Sequence, residues 1–243
     1  MNRPLRLLLI GTAWLAALSA RAQDIGPALD MTLMTGWAGN AAVTYDLEKR
    51  AGMHKEASGS SGKATASRAA RLTYTSTPAL RQQTVQQLVS RLKTSSPSGA
   101  QAVQAAFGPG KTDYDQLYRE ALKTTAFANN DAAAALAAYL ELGYQVVHNL
   151  KASDAITASQ ERGLRAQAAS ILQQNARLRD PAAVAHLGEE MKLQTVVLLL
   201  SWQQSQTGGQ EPAFRTRIAQ QFRQGYGLDM AQLKLTDQGF AKR

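Results

Sequence analysis

The chain has 243 residues, no cysteine, only 6% aromatic residues and a formal net charge of +9. The lack of cysteine excludes disulfides, thiol catalysis and thiolate metal sites together. The length allows one or two domains, and the abundance of alanine, leucine and glutamine favours an all-α protein.

Residues 1–22 have the pattern of a targeting signal. A basic start is followed by an apolar stretch from Leu7 to Leu18, and Ala20 and Ala22 form a small-x-small cleavage site. We therefore expect cleavage after Ala22 and a mature chain that begins at Gln23, in the periplasm or secreted. The apolar stretch is too short for an ordinary membrane span, and an uncleaved anchor is the alternative.

Two segments without predicted helices follow the signal. Residues 23–45 are expected to form an irregular arm, and the sequence leaves open whether it packs on the rest of the chain. Residues 46–71 are rich in Ser, Gly, Ala and Lys and predict a flexible basic linker. Residues 46–93 hold nine lysines and arginines but three carboxylates, which accounts for the whole net charge of the mature chain. We expect this segment to be a solvated linker without a partner, and an anionic envelope surface, rather than nucleic acid, is the alternative.

Residues 72–243 predict a single helical domain, because helix start signals and apolar stripes recur along them. The clearest stripe is formed by Val85, Leu88, Val89 and Leu92. Towards the end of the domain, Asp229 is expected to cap one further turn, and the tail from Leu233 to Phe240 is expected to pin the C-terminus. The predicted helix starts are, in chain order, Thr77, Ser98, Thr112, Asn130, Ser153, Asp180 and Glu211.

The stretch from Asp180 to Trp202 predicts a helix at the centre of this domain. Its second half is apolar in every direction, because five consecutive residues from Val196 to Leu200 are valine or leucine. A helix that is apolar all round must be covered on all sides. We therefore predict an all-α, multi-helix bundle around this central hydrophobic helix. The run from Leu193 to Trp202 is far shorter than the ~20 residues of a spanning helix, so no transmembrane segment is expected in the mature chain.

One stretch, from Ala105 to Thr112, satisfies a permissive P-loop pattern. That motif requires a strand before the glycine-rich loop, whereas Ser98 to Phe107 predicts a helix. Pro109 also removes one N–H group from the supposed phosphate cradle. A helix–turn–helix connection is therefore the predicted structure, and we assign no cofactor-binding residue.

The polar residues on the predicted helices form no metal or catalytic motif. His186 precedes Glu189 and Glu190 but lacks the second histidine of a zinc protease helix, so we expect it to pair with Glu190. Catalytic carboxylates are the alternative, because exported glycan hydrolases use paired acids. We expect most of these carboxylates to face solvent beside nearby basic residues, and we assign no catalytic or metal residue. The carboxylates considered are Glu120, Glu141, Glu189 and Glu190, with Arg119, Lys123 and Lys192 as expected partners.

Two stretches resemble an uncharacterised, domain-of-unknown-function family of exported bacterial all-α proteins. The first is Asn130-Asp131 with Ala134, Ala138 and Tyr139 on the helix they open, and the second runs from Gly227 to Phe240. The resemblance covers about residues 75–240. It implies an all-α exported domain and carries no activity or site residue.

Three functions are compatible with these features. The leading hypothesis is an exported, non-enzymatic helical protein that binds a partner or stabilises an envelope assembly. Its partner would be an envelope protein or an anionic envelope surface. A cell-wall hydrolase with helix-borne carboxylates is the runner-up, and a periplasmic holdase chaperone is the third hypothesis. Two carboxylates in one cleft would favour the hydrolase, whereas an open apolar groove would favour the chaperone or the binding protein.

Overall fold

The computed structural model describes residues 71–150 and 154–243. The predicted targeting signal, the arm and residues 46–70 of the linker lie outside this part of the chain. The described residues are mostly helical, which confirms the predicted all-α class. None of the described helices combines the length and hydropathy that crossing a bilayer requires.

Seven α-helices and one small antiparallel hairpin make up the described fold. The helices are α1 (Pro78–Ser95), α2 (Pro97–Phe107), α3 (Tyr114–Leu122), α4 (Ala132–His148), α5 (Ala158–Gln173), α6 (Pro181–Thr207) and α7 (Glu211–Tyr226). Short 3-10 turns lie at Ala176–Arg179 and Met230–Gln232. The hairpin consists of β1 (Leu233–Thr236) and β2 (Gly239–Lys242), and it pairs Leu235 with Phe240.

The helix α6 occupies the centre of the bundle, as predicted. Asp180 caps its first turn by accepting from the N–H of Ala182 at 3.0 Å, and Pro181 follows at the first helical position. Every residue from Leu187 to Leu199 is buried, because α1, α3, α4 and α7 all pack against this helix. The apolar run therefore has neighbours in every direction.

A second helix, α4, is enclosed to a similar degree. All of its residues from Ala132 to Val146 are buried, and its most extensive contacts are with α6. The short alanine side chains in its first turns allow the neighbouring backbones to approach closely. The sequence predicts one central helix, whereas the structure has two enclosed helices side by side.

Four helix caps lie one to four residues away from the predicted positions. Several neighbouring Ser, Thr, Asn and Asp residues can cap equally well, and the cap is the one whose oxygen reaches a free N–H group. Ser153, one predicted cap, lies outside the described residues. The observed caps are Ser96, Asp113, Asp131 and Thr157, where the sequence predicts Ser98, Thr112, Asn130 and Ser153.

The C-terminal tail also differs from its prediction. The side chain of Asp229 makes no capping hydrogen bond to the turn that it precedes, and its carboxylate binds Arg223 at 2.8 Å instead. The tail does pin the C-terminus, since Leu233 and Phe240 are buried, but it does so as a hairpin. Gln167 of α5 holds this hairpin by bonding both the N–H and the carbonyl of Phe240, at 2.7 and 3.2 Å.

An extended segment, Arg71–Ser76, enters the bundle before α1. The carbonyl of Leu72 accepts from the N–H of Ala132 at 2.9 Å, and the N–H of Tyr74 donates to the carbonyl of Asn130 at 3.0 Å. Leu72 is buried, and the ring of Tyr74 packs so closely on Gly188 that a Cβ atom there would collide with it. The entry segment is therefore part of the folded body.

This packing predicts how far the chain can be shortened from its N-terminus. A chain that begins at Arg71 should melt in denaturant like one that begins at Asp46, because residues 46–70 contain few large apolar groups. A chain that begins at Thr77 loses the burial of Leu72 and Tyr74 and should be less stable by about 2–4 kcal/mol. Equal denaturation midpoints for the chains that begin at Arg71 and at Thr77 would contradict this prediction.

Candidate functional site

A cluster of charged side chains lies inside the bundle, where α6 meets α3 and the loop before α4. Lys192 of α6 is at its centre and is 0% exposed. Its ammonium donates to Glu189 Oε1 at 3.0 Å, to Asp115 Oδ1 at 2.9 Å and to Asn130 Oδ1 at 2.6 Å. Since an ammonium has three protons, all of its donors are used. We refer to these four residues as the Lys192 cluster.

The remaining oxygens of the two carboxylates also have partners. Tyr114 donates its hydroxyl to Glu189 Oε2 at 2.7 Å, and Arg119 lies 3.1 Å from Asp115 Oδ2. Two positive and two negative charges therefore balance within a few ångströms. This balance matters because an unpaired charge in the interior would cost several kcal/mol.

Two tyrosine rings cover the ammonium of Lys192. The ring centroids of Tyr74 and Tyr118 lie 5.3 and 5.7 Å from its nitrogen, within the range of a cation–π interaction. Burial, reinforced by nearby carboxylates, raises the pKa of both hydroxyl groups well above that of a free tyrosine. Both side chains therefore stay neutral, and the entry segment closes the cluster through Tyr74.

The structure corrects the predicted exposure of the helix carboxylates. Glu120 is exposed and pairs with Lys123 at 2.6 Å, as predicted, but Glu141, Glu189 and Glu190 are buried. Glu141 accepts a hydrogen bond from Gln145 at 3.0 Å. A spacing of three or four residues on a helix predicts which charged residues pair, but it does not predict whether the pair faces solvent.

The predicted pair of His186 and Glu190 is wrong. Glu190 is buried and forms its ion pair with Arg91 of α1, a contact between helices far apart in the sequence. A local charge pattern on one helix cannot reveal such a partner. Because this pair joins two helices and Glu190 is buried, we expect Glu190 to contribute more to stability than a surface helix pair would.

Sequence patterns do not identify Asp115 and Asn130 as ligands of Lys192, because both lie at or near the predicted helix starts Thr112 and Asn130, where polar residues are expected as caps. One signal was available. The second half of α6 is apolar in every direction, and elements that enclose it also come close to the two glutamates and the lysine just before it, so these charges need partners. The partners lie on other elements, so only their existence could have been predicted.

The Lys192 cluster is suited to holding helices together rather than to acid–base chemistry. Lys192 and Glu189 are closed to solvent, and both carboxylates already bind the same ammonium. A general acid or base must instead reach the substrate proton that it transfers. Within residues 71–150 and 154–243, no group of three His, Asp or Glu side chains could hold a metal ion. The permissive P-loop stretch forms the turn between α2 and α3, with helix before it, as predicted.

The surface of the described part is more basic than its sequence, which holds 18 lysines and arginines against 13 acids. Thirteen lysines and arginines are exposed against four acids, which are Glu120, Asp154, Asp180 and Asp237. The cause is unequal burial, since Lys192 is the one buried Lys or Arg among the described residues. The buried carboxylates are Asp115, Asp131, Glu141, Glu161, Glu189 and Glu190.

The comparisons with known proteins add no family to this picture. The resemblance to an uncharacterised exported family stays a prediction. No protein-family model, curated protein or solved structure matches the chain.

Proposed function

We propose that the protein is an exported, non-enzymatic helical protein that binds an anionic envelope surface. The observation that carries this proposal is the unequal burial of charge, which turns carboxylates inwards and leaves cations outside. The signal-like residues 1–22 and the resemblance to an exported family support the location. The basic residues of the linker would add to the same positive field.

The distribution of the exposed cations favours an extended partner. Lys93 is in the last turn of α1, Lys111 lies before α3, Arg162 is on α5 and Arg217 is on α7. Cations on so many elements create a broad positive field rather than one focused site. Such a field suits a sheet of anionic headgroups, which offers many equivalent charges.

The two alternatives receive less support. A hydrolase needs carboxylates that reach a substrate, whereas those of the Lys192 cluster are neutralised by Lys192 and Arg119. A holdase needs apolar surface for its clients, and no specific observation on the described residues favours it. Binding to an anionic surface is therefore better supported than a hydrolase or a holdase function.

Cosedimentation with lipid vesicles tests the proposal. The full chain should bind phosphatidylglycerol vesicles, bind phosphatidylcholine vesicles weakly, and dissociate as salt rises towards about 0.5 M, because counterions screen exposed charges. Neutralising Lys93, Lys111 and Arg162 to glutamine should reduce the bound fraction several-fold. Replacing three exposed glutamines, Gln83, Gln87 and Gln101, by alanine is the matched control and should change nothing.

Two results would contradict the proposal that the protein binds an anionic surface. Equal binding to both kinds of vesicle would show that charge does not drive the interaction. No binding to phosphatidylglycerol at low salt would also overturn the proposal.

A further inference from the structure

His148, the last residue of α4, joins the helix to the C-terminal tail through both ring nitrogens. Nε2 lies 2.9 Å from the carbonyl oxygen of Met230, and Nδ1 lies 3.2 Å from Nη2 of Arg243. A carbonyl can only accept and a guanidinium can only donate. Nε2 must therefore carry the proton and Nδ1 must be bare, so both contacts require a neutral imidazole.

The surroundings of His148 favour this neutral form. Arg243 approaches the ring from the end of the hairpin, and Arg215 of α7 binds the carbonyls of Val146 and Val147 at 3.2 and 3.0 Å. From α4 itself, the ring of Tyr144 packs on the imidazole with centroids 4.2 Å apart. Burial lowers the pKa of His148, the hydrogen bond to Met230 opposes this effect, and the two arginines lower the pKa further.

A pocket of about 360 Å³ adjoins this contact, between the loop after α7 and the end of β2. Lys242 and Arg243 bring positive charge to its wall. Lys242 is exposed and forms no ion pair with a described residue. Asp229 also lines the pocket, but its carboxylate is bound by Arg223 at 2.8 Å, which balances its charge.

We propose that this pocket binds a phosphate-bearing anion, and that protonation of His148 strengthens the binding by releasing Arg243. In the neutral form, the guanidinium of Arg243 is occupied by His148 and by the carbonyl of Leu233, to which its Nε donates at 3.2 Å. A proton on Nδ1 would remove the acceptor and place a second cation beside the guanidinium. Arg243 would then be free to turn towards an anion, next to Lys242.

The direction in which pH changes anion affinity follows from the neutral form of His148 that the folded protein favours. The latch between His148 and Arg243 is complete above the ordinary histidine pKa of 6.5 and is lost as the pH falls through the lower pKa of the folded state. Anion affinity should therefore rise as the pH falls. This inference rests on the proposed function, because it takes the phosphate groups of an anionic surface as the ligand of this pocket.

The test uses the full chain and a phosphodiester, glycerophosphoglycerol, titrated by NMR at about pH 7.5 and at a lower pH where the ring signals of His148 show that it is protonated. A phosphodiester is chosen because a phosphate monoester titrates near pH 6 itself. We expect the dissociation constant to fall about fivefold at the lower pH, as one added charge near the site would produce. His148→Gln should abolish this pH dependence, because glutamine can donate to Met230 but cannot gain a proton.

Lys242→Gln provides a test that leaves the latch intact, and Lys234→Gln is its matched control. Both lysines are exposed on the hairpin, but Lys242 pairs with Leu233 and Lys234 pairs with Ala241, so they lie on opposite faces. Lys242→Gln should weaken binding at both pH values, whereas Lys234→Gln should not. Equal effects of the two variants, or a dissociation constant of the wild type that is independent of pH, would overturn the proposal.

A second experiment, with phosphatidylglycerol vesicles, distinguishes binding of a lipid headgroup in a membrane from binding of the free phosphodiester. If, at the lower pH, vesicles bind the wild type, Lys242→Gln and His148→Gln alike, the basic surface holds them without this pocket, and the inference that the pocket recognises the lipid headgroup is wrong. If the soluble phosphodiester binds as expected while vesicles do not, the pocket stands as a small-molecule site and the proposed membrane-surface function is wrong.

Discussion

Replacing Leu198 by aspartate is expected to abolish the folded state. Leu198 is 0% exposed in the run of α6 that α1, α3, α4 and α7 surround. A carboxyl group placed there has no partner, and its burial costs several kcal/mol even when it takes up a proton. Since a typical domain is stable by about 5–15 kcal/mol, the variant should be largely unfolded or aggregated in circular dichroism and denaturant melts.

Leu200→Asp is the matched control for this variant. Leu200 belongs to the same helix and the same apolar run, but its side chain is only half-buried. The new carboxylate can reach water there, so the loss of stability should be clearly smaller. A soluble Leu198→Asp protein that melts like the wild type would mean that this part of α6 is not enclosed.

Replacing Lys192 by methionine is expected to destabilise the protein by about 3–5 kcal/mol. Methionine keeps the length of the apolar stem but leaves Glu189 and Asp115 in the interior without the ammonium that they share. Removing one member of a buried ion pair is more costly than never having had the pair, because the remaining charge stays desolvated. The loss is measured by comparing the denaturation midpoints of the wild type and the Lys192→Met variant.

The chain contains its own control for Lys192→Met. Glu120 and Lys123 have the same Glu-x-x-Lys spacing as Glu189 and Lys192, and their charged atoms lie 2.6 Å apart. The Glu120–Lys123 side chains are 45% and 66% exposed, however, so Lys123→Met should cost less than about 1 kcal/mol. Similar losses of stability for Lys192→Met and Lys123→Met would show that burial does not increase the contribution of Lys192 to stability.

Much of the fold could be predicted from local patterns. The stripe of Phe214, Ile218 and Phe222 predicts the buried face of α7, and the Asp180-Pro181 pair predicts the start of α6. These predictions hold because helical periodicity and capping depend on residues within one or two turns of each other. The caps of four other helices were shifted because neighbouring polar residues compete for the same role.

The hairpin at the C-terminus was not predicted, and its size explains why. Each strand has four residues, so the alternation of Leu233 and Leu235 is too short to be told from an irregular apolar tail. The hairpin is held by Gln167 of α5, about 70 residues earlier in the chain. Such support between distant segments has no local signature.

The sequence alone establishes that the second half of α6 is apolar all round and that cysteine chemistry is excluded. It predicts charges that face solvent before this run, whereas the fold encloses Glu189, Glu190 and Lys192. Folding determines which partners they find. The two Glu-x-x-Lys pairs are identical as patterns, yet Lys123 faces solvent while Lys192 meets Asp115 and Asn130 from distant elements. The same selection buries six carboxylates and one cation, so a part that holds 18 lysines and arginines against 13 acids exposes 13 of the first against four of the second. The physical reason is that the strength of a charge interaction depends on its access to water, which is a property of the packed chain.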